Sequence, residues 1–318
     1  MANRMARSLR PGATIGVVAP SSPVPEADLR EGLERLHASG FRTVVGQSVL
    51  AQHGNYAGTD AERAADFNRI WADPAVDGII CARGGEGAMR ILERIDWAMV
   101  AANPKFFCGF SDITALHVAM ELRAGLVTFH GPMIAAFGKV EAHAYNEARL
   151  LAAMTSSAPL GEVPWPAPGE GVPTPLTVQP GVAEGRLLGG NLCLLAHLMG
   201  TPWEPDFKGR ILLLEDVNEA PYRIDRMLVQ FLLAGKLQKA AGILFGDSPS
   251  CMHHPEGKPS LTMPEVFAEL LEPLGIPVLY GFPCGHTAYR ATLPLGTAVR
   301  LDATAGTLTV LEPALQAR

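Results

Sequence analysis

Several side chains with catalytic potential stand where predicted strands end. Ser111 and Glu215 each follow an apolar run, and His286 lies in a glycine-flanked turn after another. The glycine-rich turn Arg83–Gly87 follows a fourth run. Ligand sites of α/β sheets gather at the carboxyl ends of strands, so these positions are the first candidates for a functional site.

The turn at Ser111 could carry a nucleophile. Gly109 permits a tight backbone before it, and Asp112 begins a stretch with helical spacing. A serine on such a turn has amide N–H groups nearby that could stabilise an oxyanion. Ile113 replaces the second glycine of the G-x-S-x-G pattern, and an ordinary N-cap serine is the alternative role. Cys108 is a rival nucleophile, but burial in an apolar strand would raise the pKa of its thiol.

The turn Arg83–Gly87 has two possible roles. It is neither a dinucleotide-binding pattern nor a Walker A sequence, because no Lys–Ser/Thr pair follows it. Its glycines could bring bare backbone N–H groups close to a reacting carbonyl oxygen. Alternatively, they could only form a tight turn that needs positive φ angles.

The histidine and cysteine motifs offer one candidate base and predict no metal site. His286 could be a catalytic base or a structural histidine, since its position in a turn at a strand end permits both. The run Cys251–His254 matches none of the C-x₂-C or H-x₃₋₅-H spacings of zinc ligands.

Composition excludes several classes of protein. The 318 residues are 48% hydrophobic and 18% charged, which is enough for two domains, each with a core. The net charge of −6 comes from interspersed residues, and no basic cluster predicts a nucleic-acid partner. No apolar segment reaches the length of about 18 residues that a membrane span needs. Five cysteines without C-x-x-C spacing favour reduced thiols and a cytoplasmic location.

The pattern of elements predicts two domains. In the first half, strands alternate with helices, which indicates βαβ units and a mainly parallel sheet. Seven prolines between residues 158 and 182 indicate a linker or an extended crossover. The second half has short strands and helices, and it closes with a predicted hairpin of strands 298–301 and 308–311. We therefore expect domains at 1–150 and 182–318, joined by a linker at 151–181.

Taken together, the motifs resemble those of the LD-carboxypeptidase family, which includes the microcin C immunity peptidases as relatives. The matching pieces of the first half are Ala19–Ser22, Ala57–Thr59, Arg83–Gly85, Gly109–Thr114 and His130–Met133. Those of the second half are Leu188–Asn191, Gly200–Trp203, Leu214–Asp216, Pro221–Arg226 and Gly285–His286. One departure is Glu86, which replaces the aromatic residue expected in the Arg–Gly–Gly turn.

The resemblance implies a fold and an assembly. The expected class is α/β, with an N-terminal parallel-sheet domain like flavodoxin or class I glutamine amidotransferases. A C-terminal swivelling β/β/α domain follows, and the chain is expected to form a homodimer.

It also implies site residues. The catalytic triad would be Ser111, His286 and Glu215, so docking of the two halves would assemble the site. The backbone N–H of Asp112, with one from Gly84 or Gly85, would form the oxyanion hole. Two residues, Arg83 and Asn191, would bind substrate.

The implied reaction is the release of terminal D-alanine from the L,D-linkage of a murein tetrapeptide, without metal or organic cofactor, in peptidoglycan recycling. An alternative is an amidase that cleaves peptidyl-nucleotide antibiotics. A second alternative, from another class, is a muropeptide-binding protein without catalysis.

Overall fold

The computed structural model describes residues 3–137, 143–169, 171–251 and 258–318. The chain forms two compact units. The first comprises Met1–Pro159, Ala291–Gly296 and Pro313–Arg318, and the second comprises Leu160–Arg290 and Thr297–Glu312.

The regular elements are as follows. The strands are β1 Thr14–Val18, β2 Arg42–Val45, β3 Gly78–Cys81, β4 Phe106–Gly109, β5 Thr128–His130, β6 Gly161–Glu162, β7 Leu176–Gln179, β8 Val182–Asn191, β9 Arg210–Glu215, β10 Gly242–Gly246, β11 Val278–Phe282, β12 Leu293–Leu295, β13 Ala298–Asp302 and β14 Thr307–Val310. The α-helices are α1 Glu26–Ala38, α2 Asp60–Ala72, α3 Ala88–Ile91, α4 Trp97–Ala102, α5 Thr114–Ala124, α6 Ile134–Phe137, α7 His143–Thr155, α8 Leu192–Leu198, α9 Pro221–Leu233 and α10 Met263–Leu270.

The first unit is built on a sheet whose strand order, within the described residues, is β12-β5-β4-β3-β1-β2. Strands β1 to β5 pair in parallel, and β12 pairs antiparallel with β5 at the edge. Every residue of β1, β3 and β4 is buried, which is why these strands are apolar apart from Thr14 at the start of β1. The predicted parallel α/β sheet is confirmed.

The second unit is built on a mixed sheet with the described strand order β6-β14-β13-β8-β9-β10-β11-β7. Its centre, β8 to β11, is parallel, whereas β13, β14, β6 and β7 pair antiparallel. The predicted closing hairpin is present as β13 and β14. Strand β9 is buried at every position after Arg210, so its polar end at Glu215 lies inside the unit.

The boundaries between the two units differ from those that the composition predicts. Residues of the expected linker at 151–181 form the end of α7 and the strands β6 and β7, and both strands belong to the sheet of the second unit. Residues 291–296 return to the first unit, because β12 pairs with β5, and residues 313–318 also belong to it. Backbone pairing between segments distant in sequence sets these boundaries, and proline content does not report it.

Candidate active site

The backbone at Ser111 is in the left-handed region. Ser111 follows β4, has a φ of 64°, and begins a 3₁₀ turn, Ser111–Ile113, that leads into α5. The N-cap of α5 is Ile113, so the structure does not give Ser111 the ordinary capping role. A left-handed conformation costs a non-glycine residue about 1–2 kcal/mol, and such residues cluster at functional sites.

The turn after β3 approaches this serine. A Cβ atom at Gly84 would lie 3.0 Å from Cβ and 3.2 Å from Oγ of Ser111, so only a glycine lets the backbone come this close. Gly85 has a φ of 110°, and a Cβ atom there would overlap the Ser22 side chain. The turn is fastened to Ser22, whose N–H donates to the Gly84 carbonyl at 3.3 Å and whose Oγ accepts from the Glu86 N–H at 3.2 Å.

The side chain of Asp112 is buried and engaged within the first unit. Its Oδ2 accepts hydrogen bonds from Ser21 Oγ at 2.6 Å and from the Ala88 N–H at 2.7 Å. Burial raises the pKa of this carboxyl, and its two hydrogen bonds oppose the shift. The role predicted for Asp112 therefore concerns its backbone N–H and not its carboxylate.

Cys108 is a poor rival to the serine. It is fully buried in β4, and its Sγ lies 3.6 Å from the carbonyl oxygen of Pro132. Burial raises the pKa of this thiol far above its ordinary value, so the reactive thiolate does not form near neutral pH.

In the second unit, a buried carboxylate holds a histidine. Glu215 ends β9 with no exposed surface, and its Oε2 lies 2.6 Å from Nδ1 of His286. Gly246 and Gly285 make room for this carboxylate, since Cβ atoms there would lie 3.1 Å and 2.7 Å from Glu215 Cβ. Arg290 donates from Nε to the Gly285 carbonyl at 3.0 Å, which fastens the residue before the histidine.

Asp216, the neighbour of Glu215, has different partners. Its Oδ1 accepts from Asn191 Nδ2 at 3.0 Å and from the Val217 N–H at 2.9 Å, and its Oδ2 accepts from the Cys193 N–H at 2.9 Å. Burial, followed by the charge of Glu215, raises the pKa of Asp216 to about 6. This carboxylate orders the start of α8 and does not contact His286 in the hydrogen bonds described.

The two residues expected to bind substrate have contrasting surroundings. Asn191 is 3% exposed, and its side chain caps α8 by accepting from the Leu194 N–H at 3.1 Å. Arg83 is exposed, and its Nη1 lies 3.4 Å from the Pro23 carbonyl. In the first unit, the structure brings Gly84 next to Ser111. Asn191 and the Glu215–His286 pair belong to the second unit.

Sequence reasoning missed a buried cation beside the serine turn. Arg63 on α2 is 1% exposed and bonds to backbone carbonyls of two loops. A signal was present, because Arg63 stands one turn before Phe67 and is therefore on the same face as the apolar residues of α2.

Two further observations concern metals and membranes. Among residues 3–137, 143–169, 171–251 and 258–318, no cluster of three or more His, Cys, Asp or Glu is arranged to hold a metal ion. Of the run Cys251–His254, only the buried Cys251 lies inside the described residues. In the same part of the chain, no helix is long and apolar enough to cross a membrane.

Comparison with known families places the chain in a class of peptidases. Residues 15–131 match the LD-carboxypeptidase N-terminal domain, and residues 184–301 match the LD-carboxypeptidase C-terminal domain. The chain belongs to the LD-carboxypeptidase family, as the motifs predict.

Individual relatives support the same assignment. The probable murein peptide carboxypeptidase of Bacillus subtilis is 39% identical over 304 residues, which are 94% of this chain and 92% of that protein. The muramoyltetrapeptide carboxypeptidase of Oxalobacter formigenes superposes with a TM-score of 0.81 at 32% identity, over 95% of this chain and 100% of that one. The wild-type microcin C7 self-immunity protein, known from Escherichia coli, superposes with a TM-score of 0.88 at 28% identity, over 98% and 100% of the two chains. These structures share the two-domain α/β architecture.

Proposed function

We propose that this protein is a serine carboxypeptidase that hydrolyses an L,D-peptide bond and releases the terminal D-alanine of a murein tetrapeptide. The observation that carries the proposal is the strained Ser111 turn at the end of β4, with the Gly84 backbone packed against it. A relative named as a murein peptide carboxypeptidase supports the choice of substrate. Peptidoglycan recycling is the process such a reaction would serve.

The proposed reaction begins with attack by the serine. His286 takes the proton of Ser111 Oγ as a C–O bond forms to the substrate carbonyl carbon, and Glu215 stabilises the resulting imidazolium through Nδ1. The backbone N–H of Asp112, with that of Gly84 or Gly85, would donate to the oxyanion. The C–N bond then breaks, and His286 returns the proton to the amine of the leaving D-alanine.

Water completes the cycle. His286 would deprotonate a water molecule that attacks the acyl carbon, and the C–O bond to Ser111 then breaks with return of the proton to Oγ. Every proton transfer thus passes through a single imidazole. The buried Glu215 carboxylate fixes the orientation of that imidazole.

We also propose how the protein binds its substrate and how it assembles. An exposed guanidinium at Arg83, next to Gly84, suits a carboxylate of the peptide. Asn191 would contact the substrate from the start of α8, where its side-chain amide already binds Asp216 and the N–H of Leu194. The five cysteines are free thiols, which agrees with a cytoplasmic location of the protein. We further propose that the protein acts as a homodimer.

The likeness to the microcin C7 self-immunity protein favours one second candidate. This is a serine amidase that cleaves peptidyl-nucleotide compounds with the same residues. Parallel assays of the purified protein on murein tetrapeptide and on a peptidyl-sulfamoyl adenosine separate the two substrates. Release of D-alanine from the tetrapeptide with the higher kcat/KM would support the first.

The nucleophile is tested by two variants and one probe. Ser111→Ala should lower kcat by at least about 10³-fold, whereas Cys108→Ala should keep most of the activity. A serine-directed phosphonate should label Ser111 of the wild-type protein. If Ser111→Ala retains activity and Cys108→Ala loses it, the serine assignment is wrong; binding of muropeptide without turnover or labelling would indicate the non-catalytic alternative.

A further inference from the structure

Two buried side chains of opposite charge lie beside the serine turn. Arg63 is 1% exposed and Asp112 is 4% exposed. A charge in such surroundings is stabilised only if hydrogen bonds replace its contacts with water. The reaction proposed above uses neither side chain, since it requires only the backbone of Asp112.

The cation joins two loops through their carbonyl groups. Arg63 reaches from α2, and its Nη1 donates to the carbonyl of Pro20, after β1, and at 2.9 Å to the carbonyl of Gly87, after β3. Its Nη2 donates to Asp60 Oδ1 at 2.5 Å. Gly87 has no room for a side chain, because a Cβ atom there would lie 2.8 Å from Arg63 Nη1.

The anion joins the same two loops through their donors. Asp112 accepts from the hydroxyl of Ser21 at 2.6 Å and from the N–H of Ala88 at 2.7 Å. These donors directly follow the two carbonyls that the guanidinium binds. The consecutive residues Pro20–Ser21 and Gly87–Ala88 are therefore each bound once by the cation and once by the anion.

The turn 84–87 is held at both of its ends. At its end, Gly87 is bound by Arg63. At its start, Gly84 is bound by Ser22 at 3.3 Å and packs on Ser111. Because Asp112 directly follows Ser111 in the chain, its carboxylate links the serine turn itself to the loop after β1 and to the loop that carries the glycines.

We propose that Arg63 and the carboxylate of Asp112 are positioning residues, which hold the turn 84–87 against Ser111 so that its N–H groups meet the oxyanion. This inference rests on the function proposed above. Donors stabilise a transition state only when they are fixed in place beforehand, and a displacement of about 1 Å can cost about 10² in rate. Their loss should therefore lower kcat and leave KM nearly unchanged.

The principal test is Arg63→Lys, which keeps the charge. A single ammonium lacks the planar fork that reaches two carbonyls and a carboxylate together. We expect kcat on the murein tetrapeptide to fall about 10- to 100-fold with KM within about twofold. The matched control is Arg90→Lys, because Arg90 binds the same Asp60 at 2.8 Å and stacks on Tyr56 at 4.9 Å, as Arg63 does at 5.0 Å, from an exposed position. The control should keep kcat within about twofold.

Ser21→Ala is the second variant, and it tests the positioning role even if Arg63→Lys does not fold. It removes one of the two donors to Asp112, and kcat should fall about tenfold. The rate at which a phosphonate labels Ser111 gives a readout that does not depend on the natural substrate, because the phosphonyl oxygen occupies the oxyanion position. Labelling should slow in parallel with kcat.

The outcomes separate the two proposals. If wild-type Ser111 is labelled but the tetrapeptide is not hydrolysed, the substrate assignment fails while slower labelling of Arg63→Lys still supports the positioning role. If folded Arg63→Lys and Ser21→Ala retain wild-type kcat and labelling rates, or lose only affinity for substrate, the positioning role is wrong.

Discussion

Gly285 and Glu215 are in such close contact that a Cβ atom at position 285 would lie 2.6 Å from Oε2 of the carboxylate. That oxygen is the one bound to His286 Nδ1. Gly285 also has a φ of 82°, which L side chains rarely adopt. The glycine before the histidine is therefore required by both its conformation and its neighbour.

Gly285→Ala should consequently disrupt the carboxylate–imidazole pair. We expect kcat to fall by at least about 10²-fold, because a methyl group displaces the carboxylate that orients His286. The control is Gly275→Ala, whose φ is 66° but which has no atom within 4 Å of the added Cβ. The control should lose about 1 kcal/mol of unfolding free energy and retain its activity. Equal activities of the two variants would show that the contact does not matter.

Glu215 is expected to matter more than its acidic neighbours. Glu215→Gln keeps the shape but removes the charge that stabilises the imidazolium, so kcat should fall by up to about 10⁴-fold at saturating substrate. Glu219→Gln should stay near wild type, since Glu219 lies just before α9 and pairs with the exposed Arg223 at 3.2 Å. If Glu219→Gln loses activity while Glu215→Gln stays near wild type, Glu215 is not the acidic member of the triad.

Asp216→Asn should act on stability instead. All three partners of Asp216 are donors, so an asparagine must turn its NH₂ group toward one of them. We expect the free energy of unfolding to fall by about 1–3 kcal/mol, with a smaller loss of kcat than in Glu215→Gln. Thermal unfolding and kinetics of the two variants, measured side by side, check this contrast.

The strain at Ser111 predicts a gain in stability on its replacement by glycine. Both Ser111→Gly and Ser111→Ala remove the hydroxyl, but only glycine adopts a φ of 64° without a steric penalty. Ser111→Gly should therefore be more stable than Ser111→Ala by about 1 kcal/mol. Chemical denaturation of the two inactive proteins provides the comparison, and equal stabilities would contradict a strained turn.

Acid should destabilise the first unit through His117. Its Nε2 lies 2.9 Å from the Gly109 carbonyl and must donate, and its Nδ1 lies 2.9 Å from Thr128 Oγ1. Burial lowers the pKa of His117 from 6.5 to about 3, so between these values the unfolded chain binds a proton that the folded chain does not. The free energy of unfolding should fall on acidification through this window, by up to about 1.4 kcal/mol per pH unit.

The comparison protein for this titration is His117→Gln. Its unfolding free energy should lack this component, so the difference from wild type should shrink as the pH falls from 6.5 toward 3. His37→Gln removes an exposed histidine and serves as control. A pH dependence unchanged by His117→Gln would show that this imidazole is not the group responsible.

The sequence predicted the parts of the fold that are buried on both faces. Strands β3, β4 and β9 are apolar runs, and the positions of Ser111 and Glu215 follow from where those runs end. It did not predict β12, a three-residue edge strand that contains Pro294 and exists only because it pairs with β5. Pairing of that kind depends on residues far away in the chain, which local periodicity cannot report.

The side chains around the candidate site were predicted unevenly for a related reason. Glu215 stands out because a carboxylate ends an apolar strand. Arg63 does not, since an arginine on a helix is usually solvated, and only the folded loops supply the carbonyls that it binds. Roles that arise from backbone groups of other segments are not visible in the types of the residues themselves.

The edge position of β12 has a consequence for the order in which the protein is made. A ribosome that has produced residues 1–159 has placed Ser111 and most of its sheet in the nascent chain, but not the segments 291–296 and 313–318 that belong to the same unit. Until residue 295 emerges, β5 presents an unpaired edge. The unit that holds the proposed nucleophile is thus begun first and finished only after nearly all of the other unit has been synthesised. A chain released before residue 291 would therefore contain the serine but lack an edge strand of its sheet.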